Sequence, residues 1–313
     1  MTTTPTAAPR ALPAARRAGM RRPWAATALF IGPAVLYFGF FTIYPLLSSF
    51  YYAFHTIAPA GGRLVTTYVG LDNFKALLAD PIFFLAVRNS LTWGVVGPAI
   101  ELVTAATLAF LIYYRVPLHR FYRVAWFTPI LVSGVIIGLV FRWIFNYDWG
   151  LVNAGLRAVG LDNLALNWLG RRDTPLGVVI FVHYWATFGF TFVLLLAGLS
   201  AIPAELEEAA QIDGASRWRV IWHILLPLLR PTIVTALILS FIGKMNAFNV
   251  VWALTNGGPL HFSETVATYI QKRAFGWTTF DLGYPSAMAV AWFGVVVIGI
   301  GLINRRLRSR VEY

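Results

Sequence analysis

Two ionisable side chains, Glu101 and Lys244, lie inside long apolar stretches of this chain. A charge at bilayer depth is costly, so such a group usually pairs, lines a polar passage or serves transport. Glu101 has a helix-packing reading, either protonated or paired across helices. Lys244 lies in the run Ser240-Phe-Ile-Gly-Lys-Met-Asn-Ala-Phe-Asn249. It can snorkel to an interface along its four-carbon stem, or face a cavity with Asn246 and hydrogen-bond a polar solute. Ser240 and Lys244, four apart, share a helical face. Ser240 and Asn246 do not, since six residues advance about 240°. No other constellation points to catalysis. There is no G-x-x-x-x-G-K-[ST] loop and no G-x-S-x-G, and no cysteine for a thiolate site. His55, His119, His183, His223 and His261 have no metal-ligand spacing. No enzymatic site is expected, and any ATP must be bound by another chain.

A second pattern lies in the polar stretch SAIPAELEEAAQIDGASRWRVIWHILLPLLRP, from Ser200 to Pro231. It predicts two short helices and a turn. Pro203 suits a first helical turn, and Glu205, Glu207 and Glu208 suit its positive end. Gly214 can take the left-handed conformation that ends a helix. Ser216 can cap a second helix carrying Trp218, Ile221, Trp222 and Leu225, which Pro227 closes before the next apolar stretch. Amphipathic connectors on a membrane surface have the same look.

These residues must be positioned by membrane-spanning elements. The 313 residues are 58% hydrophobic and 12% charged, with mean hydropathy +0.67. A soluble chain would be about 45–50% apolar and about 25% charged. Six stretches approach the roughly 20 residues needed to cross a bilayer: Ala26–Tyr51, Ser90–Tyr113, Val124–Phe145, Leu176–Leu199, Leu228–Val251 and Ser286–Ile303. The first is longer than a signal-peptide core of about 7–15 residues and is read as a retained helix. Basic residues set the orientation: fifteen fall on the side holding both termini and Ser200–Pro231, ten on the other. Both termini are therefore expected to be cytoplasmic. The +12 charge follows this topology and does not form a nucleic-acid footprint. The expected organisation is a basic segment at 1–25, a six-helix domain at 26–303 containing a cytoplasmic loop at 201–226, and a basic tail at 304–313.

Glu208-Ala209-Ala210, three residues, Gly214, nine residues, then Ile224-x-Leu226-Pro227 resembles in full the EAA motif of ABC-importer permeases. Val69-Gly70-Leu71-Asp72-Asn73-Phe74 and Arg88-Asn89-Ser90-Leu91 look like the family's first outer loop and the start of its second helix. Leu254-Thr255-Asn256-Gly257-Gly258-Pro259 is similar to the outer segment after the fifth helix in one of the two permease types that carbohydrate importers pair. The likeness runs from about residue 26 to 310 and is nearest to the MalF-like permeases. Two extra N-terminal helices and a large outer domain of the maltose permease have no counterpart, so maltose specificity does not carry over.

The resemblance implies an all-α membrane protein of the type I ABC-importer permease fold, with six transmembrane helices, in a bacterial inner membrane. It implies a coupling helix docked on a cytoplasmic ATPase, with Glu208, Ala209, Ala210, Asp213, Gly214, Ala215, Leu226 and Pro227 as coupling residues. Trp185, Thr187 and Phe190, counted back from Glu208, match the family's sugar-contacting region. They mix aromatic faces, which stack on sugar C–H faces, with a hydroxyl. Ser240, Lys244 and Asn246 complete the expected pathway. The implied partners are a second, related permease subunit, two ATPase subunits holding ATP and Mg, an outer solute-binding protein and membrane lipid. No cofactor is expected in this chain, and no nucleic acid. A di- or oligosaccharide is the expected solute. Lys244 stands where neutral amides are common, which leaves a polyol or glycerol phosphate as the alternative. An ion-coupled secondary transporter should show inverted repeats and paired carboxylates, and of the latter Glu101 alone qualifies.

Overall fold

The computed structural model describes residues 24–60, 63–276 and 281–307. Arg10, Arg16, Arg17, Arg21 and Arg22 of the basic segment, and Arg308 and Arg310 of the tail, lie outside the described residues. The chain divides into two compact units, Met1–Ser48 and Ser49–Tyr313. The first contains α1 (Trp24–Phe38), a π turn at Gly39–Ile43 and the start of α2 (Tyr44–Tyr52).

Among the described residues of the second unit, the regular elements are helices and one hairpin. Strands β1 (His55–Ala60) and β2 (Arg63–Tyr68) pair antiparallel, with His55 opposite Tyr68 and Ala60 opposite Arg63. The helices that follow are α3 (Asp72–Leu78), α4 (Pro81–Tyr113), α5 (His119–Phe127), α6 (Gly134–Ile144), α7 (Leu151–Ala158) and α8 (Pro175–Ser200). Then come α9 (Ala204–Ile212), α10 (Arg217–Val220), α11 (Leu226–Met245), α12 (Asn249–Leu254), α13 (Val266–Phe275) and α14 (Gly283–Leu307). Asp80 starts α4 by accepting from the Ile82 and Phe83 amides at 2.8 and 3.2 Å, with Pro81 at the first helical position.

Among the described residues, five helices are long and apolar enough to cross a bilayer: Thr27–Tyr52, Pro81–Tyr113, Pro175–Ser200, Arg217–Met245 and Gly283–Leu307. The expected span Val124–Phe145 is not a single helix. His119–Leu131 and Gly134–Ile144 meet at 101°, and counted as one broken span they bring the number to six. Pro129 lacks an amide hydrogen, and Val132 and Ser133 are extended, so the helical ladder stops and restarts at Gly134. The expected span Leu228–Val251 is also interrupted. Its helix ends at Met245, and α12 begins at Asn249.

Pro227 does not close a helix as its sequence position implied. The chain runs on from α10 through a π turn at Ile221–Leu225 into α11. A proline ring collides with the carbonyl four residues back, here that of His223. That residue lies within the π turn, whose wider winding accommodates the missing donor.

Helices α4, α8 and α11 pack together, and α11 also packs on α14. One core between α4, α8 and the start of α11 is built from Ala105, Ala109, Phe192, Leu195, Leu199, Leu225 and Leu229. A second joins α4, α11, α13 and α14 through Phe83, Phe241, Met245, Tyr269 and Met288. Lipid tails are as apolar as these side chains, so the cores hold the helices by close packing and not by exclusion of water. Asp80 ties the hairpin end of the bundle: its Oδ2 accepts from the hydroxyls of Tyr269 and Tyr284, both at 2.6 Å.

Candidate functional site

The motif-bearing loop folds as a helix with a Schellman ending. Helix α9 stops at Asp213, and Gly214 takes φ +80°. The Ala215 amide donates to the Ala210 carbonyl at 2.9 Å and the Gly214 amide to the Gln211 carbonyl at 3.0 Å. This pattern accounts for the spacing of Ala210, Gly214 and Ala215. The two alanines are bridged by that backbone bond and pack half-buried on the α4–α8 core. Ser216 caps α10 through the Arg219 amide at 3.4 Å. Glu208, Ala209, Asp213 and Gly214 are exposed, and Ile212 is 86% exposed. Leu226 is half-buried and Pro227 exposed, where α11 begins.

Glu207, which the motif does not include, secures α9 to the end of α4. It accepts from the Tyr113 hydroxyl at 3.2 Å and from the Gln211 side-chain amide at 3.2 Å. Burial, with the Glu207 charge beside it, pushes the Tyr114 phenol up to about 12. Arg217 lies over the Tyr114 ring, 5.6 Å from its centre.

The polar groups of the spans converge in a seam between α4, α8 and α11. Glu101, on α4, is 1% exposed. Its Oε1 accepts from Thr191 of α8 at 2.6 Å, and its Oε2 accepts from Ser240 of α11 at 2.9 Å and pairs with Lys244. Of the two states open to Glu101, the structure has the one paired across helices. Lys244 is 3% exposed and does not snorkel. Its Nζ also approaches the Thr187 hydroxyl at 3.4 Å. The seam is made by residues four apart: Glu101 on one helix, Thr187 and Thr191 on the next, Ser240 and Lys244 on the third.

Beside the seam is a cavity of about 420 Å³. His183 and Thr187 of α8 line it, with Asn246, Ala247 and Asn249 after α11 and with Pro129, Val132 and Gly134 at the bend. Thr187 and Asn246 thus share the cavity, whereas Lys244 and Ser240 lie behind its wall. Trp185 packs instead on Phe141, ring centres 5.2 Å apart, and Phe190 is 44% exposed. Along a helix, residues two apart diverge by about 200°, so Trp185 and Thr187 cannot line one surface. From the sequence His183 is notable only as a histidine without metal-ligand spacing and Thr191 not at all, although each stands four residues from Thr187.

At the hairpin end, Asn89 and Ser90 of the second-helix motif bind the segment that follows residues 254–259. The Asn89 side-chain amide donates to the Phe262 and Glu264 carbonyls at 3.1 and 3.0 Å, and Ser90 accepts from the Val266 amide at 3.0 Å. Glu264 is fully buried, held by Lys272 at 2.6 Å and His261 at 2.7 Å. Gly257 has φ +75°, and its backbone lies directly against that carboxylate.

Residues 100–313 match the model of a family described as "Binding-protein-dependent transport system inner membrane component". The sulfoquinovosyl glycerol transport system permease protein SmoG of Agrobacterium fabrum is 30% identical over 90% of each chain. The arabinooligosaccharides transport system permease protein AraP of Bacillus subtilis is 31% identical over 90% of this chain and 88% of its own. The fold is that of a bacterial ABC transporter that imports the acidic polysaccharide alginate: TM-score 0.79 at 23% identity, covering 93% of this chain and 97% of that one. A second structure, of a bacterial alginate ABC transporter with an alginate pentasaccharide-bound periplasmic protein, matches at TM-score 0.77, with 23% identity and 92% and 95% coverage. The relatives are permeases, transport subunits and not enzymes. The chain is a multi-pass membrane protein of the binding-protein-dependent transport system inner membrane component family, the permease subunits of ABC importers.

Proposed function

We propose that this chain is one of two related permease subunits that form the passage of an ATP-driven importer for a di- or oligosaccharide. In this reading it lies in a bacterial inner membrane with α9 and both termini on the cytoplasmic side. An outer solute-binding protein delivers the sugar, and two ATPase subunits hold ATP and Mg. Helix α9 is the coupling helix. Its exposed Glu208, Ala209 and Ile212 are free to enter a groove of the ATPase, while Ala210, Ala215 and Glu207 fix it to the bundle. A helix seated in this way carries a rigid displacement to the spans, where a flexible loop would absorb it.

The observation that carries the sugar assignment is the cavity wall. Thr187, Asn246, Asn249 and His183 supply hydroxyl, amide and imidazole groups, and among the described residues no carboxylate or ammonium lines it. Such groups donate to and accept from sugar hydroxyls. The name of AraP supports the same class, and those of SmoG and the alginate transporter support a carbohydrate more broadly. The glycerol phosphate alternative drew on Lys244, whose charge is matched by Glu101. The test is to copurify the tagged chain with its second permease and ATPase, then screen the cognate binding protein by thermal shift. Stabilisation by neutral di- or oligosaccharides is expected. Stabilisation by glycerol phosphate alone, or purification without an ATPase, would overturn the assignment.

A further inference from the structure

We infer that Glu101 is a positioning residue that sets the charge selectivity of the passage by holding the Lys244 ammonium away from the cavity. The inference rests on the sugar-import reading and names a determinant within it. Both side chains are 2% exposed, and neither lines the cavity. Only one hydroxyl separates the ammonium from the passage. Lys244 Nζ lies 3.4 Å from Thr187 Oγ1, and Thr187 is part of the wall.

The partners of the pair are unequal. The Glu101 carboxylate accepts from Thr191 and Ser240 as well as Lys244, so it is anchored from two further helices. Lys244 is held by Glu101 and by the longer contact to Thr187. A buried ammonium without its counter-charge must find another or turn toward water. With a flexible four-carbon stem, the nearest polar opening is the cavity beyond Thr187. Removing the carboxylate would therefore place a free cation where the wall is otherwise uncharged, and the passage would come to favour anions. Buried ion pairs rarely add net stability over apolar packing, which points to a role for the pair beyond holding the helices.

The experiment compares two probes that differ only at C6, D-glucose (CH₂OH) and D-glucuronate (carboxylate). They are titrated by tryptophan fluorescence into the purified importer without its binding protein. In the native importer the ratio of the two dissociation constants should be near one. In Glu101→Gln, glucuronate should bind about tenfold or more tightly relative to glucose, the size of one modest charge interaction. In the double variant Glu101→Gln/Lys244→Gln the ratio should return to the native value, because the new cation is gone. Should Glu101→Gln fail to fold, the charge swap Glu101→Lys/Lys244→Glu, which keeps the pair, serves in its place. It should retain the native ratio, and a swap that gains anion preference would overturn the inference. An unchanged ratio in Glu101→Gln, or anion preference persisting in the double variant, would overturn it while leaving sugar import intact. Failure of both probes to bind any of these proteins would overturn the inference and leave the di- or oligosaccharide reading to the binding-protein screen.

Discussion

Substituting Gly257 by alanine should disable the hairpin-end segment through two separable costs. The residue sits at φ +75°, where an L-residue is strained by about 1–2 kcal/mol. An added Cβ would also lie 2.5 to 2.6 Å from the Oε2, Cδ and Oε1 atoms of Glu264, well inside van der Waals contact. The carboxylate must then move and loosen its 2.6 Å bond to Lys272 and 2.7 Å bond to His261. Disrupting one side of a buried ion pair costs about 3–5 kcal/mol. Because Lys272 is 27% exposed and can recover water, the lower end applies. The total is about 4–5 kcal/mol, a large share of the 5–15 kcal/mol typical of a folded domain.

The assay is a double-mutant cycle on unfolding of the detergent-solubilised protein, using Gly257→Ala, Glu264→Ala and the pair. Glu264→Ala removes the atoms that Cβ would strike, so the double variant should retain only the backbone strain beyond the Glu264→Ala loss. The two effects should fall short of additivity by about 2 kcal/mol or more, against the 0.3–0.5 kcal/mol seen for independent sites. Additive effects would refute the steric argument.

Glu208→Lys and Gly214→Pro should leave the chain in the membrane at normal levels but abolish ATP-dependent uptake while ATP hydrolysis continues. Full transport in both would remove α9 from the coupling role. Glu207→Ala should lower the transport-to-hydrolysis ratio several-fold by releasing α9 from Tyr113, as measured in proteoliposomes. Asn89→Ala should leave the Phe262 and Glu264 carbonyls short of a donor, at about 1–3 kcal/mol, and speed limited proteolysis at 255–265. Asp80 yields a pH prediction. Burial raises its carboxyl, but the hydrogen bonds from Tyr269, Tyr284 and the Phe83 and Ile82 amides outweigh that and hold it below its ordinary value of 3.8. Its stabilisation is then fully present above 3.8 and is lost as pH falls through the lowered folded value. The melting-temperature gap between the native protein and Asp80→Ala should stay constant from neutral pH down to about 5 and narrow only in stronger acid.

The apolar stretches were legible because twenty consecutive apolar residues have few other uses, and the α9 turn because Gly214 and Ser216 announce themselves locally. The breaks at Val132–Ser133 and at Asn246–Phe248 were not, since a run stays apolar whether or not its helix is continuous. Pro227 misled for the converse reason. A helix-breaking residue was absorbed by a π turn that no composition signals. Glu101 and Lys244 each stood out as intramembrane charges, but they are 143 residues apart and nothing local couples them. The partial signal was the four-residue spacing of His183, Thr187 and Thr191, which marks one face of α8. Of the residues the resemblance picked out beside Thr187, Trp185 falls on another face, while Phe190 shares the face of His183 but is not part of the cavity wall. Asn89 and Asn256-Gly257 were noticed as separate motifs, and only the fold brings their segments together.

The two interrupted helices face one cavity, with Pro129 to Gly134 on one side and Asn246 to Asn249 on the other. Irregular backbone at membrane depth persists only where protein or water meets its peptide groups. If the proposed passage runs through this cavity, any main-chain group at these breaks left without a helical partner would meet a solute with amide or carbonyl common to every residue type. An alanine scan of the cavity would leave that contribution untouched and would under-report the site. The same property lets side chains around the cavity diverge between solutes while a constant polar surface remains beneath them.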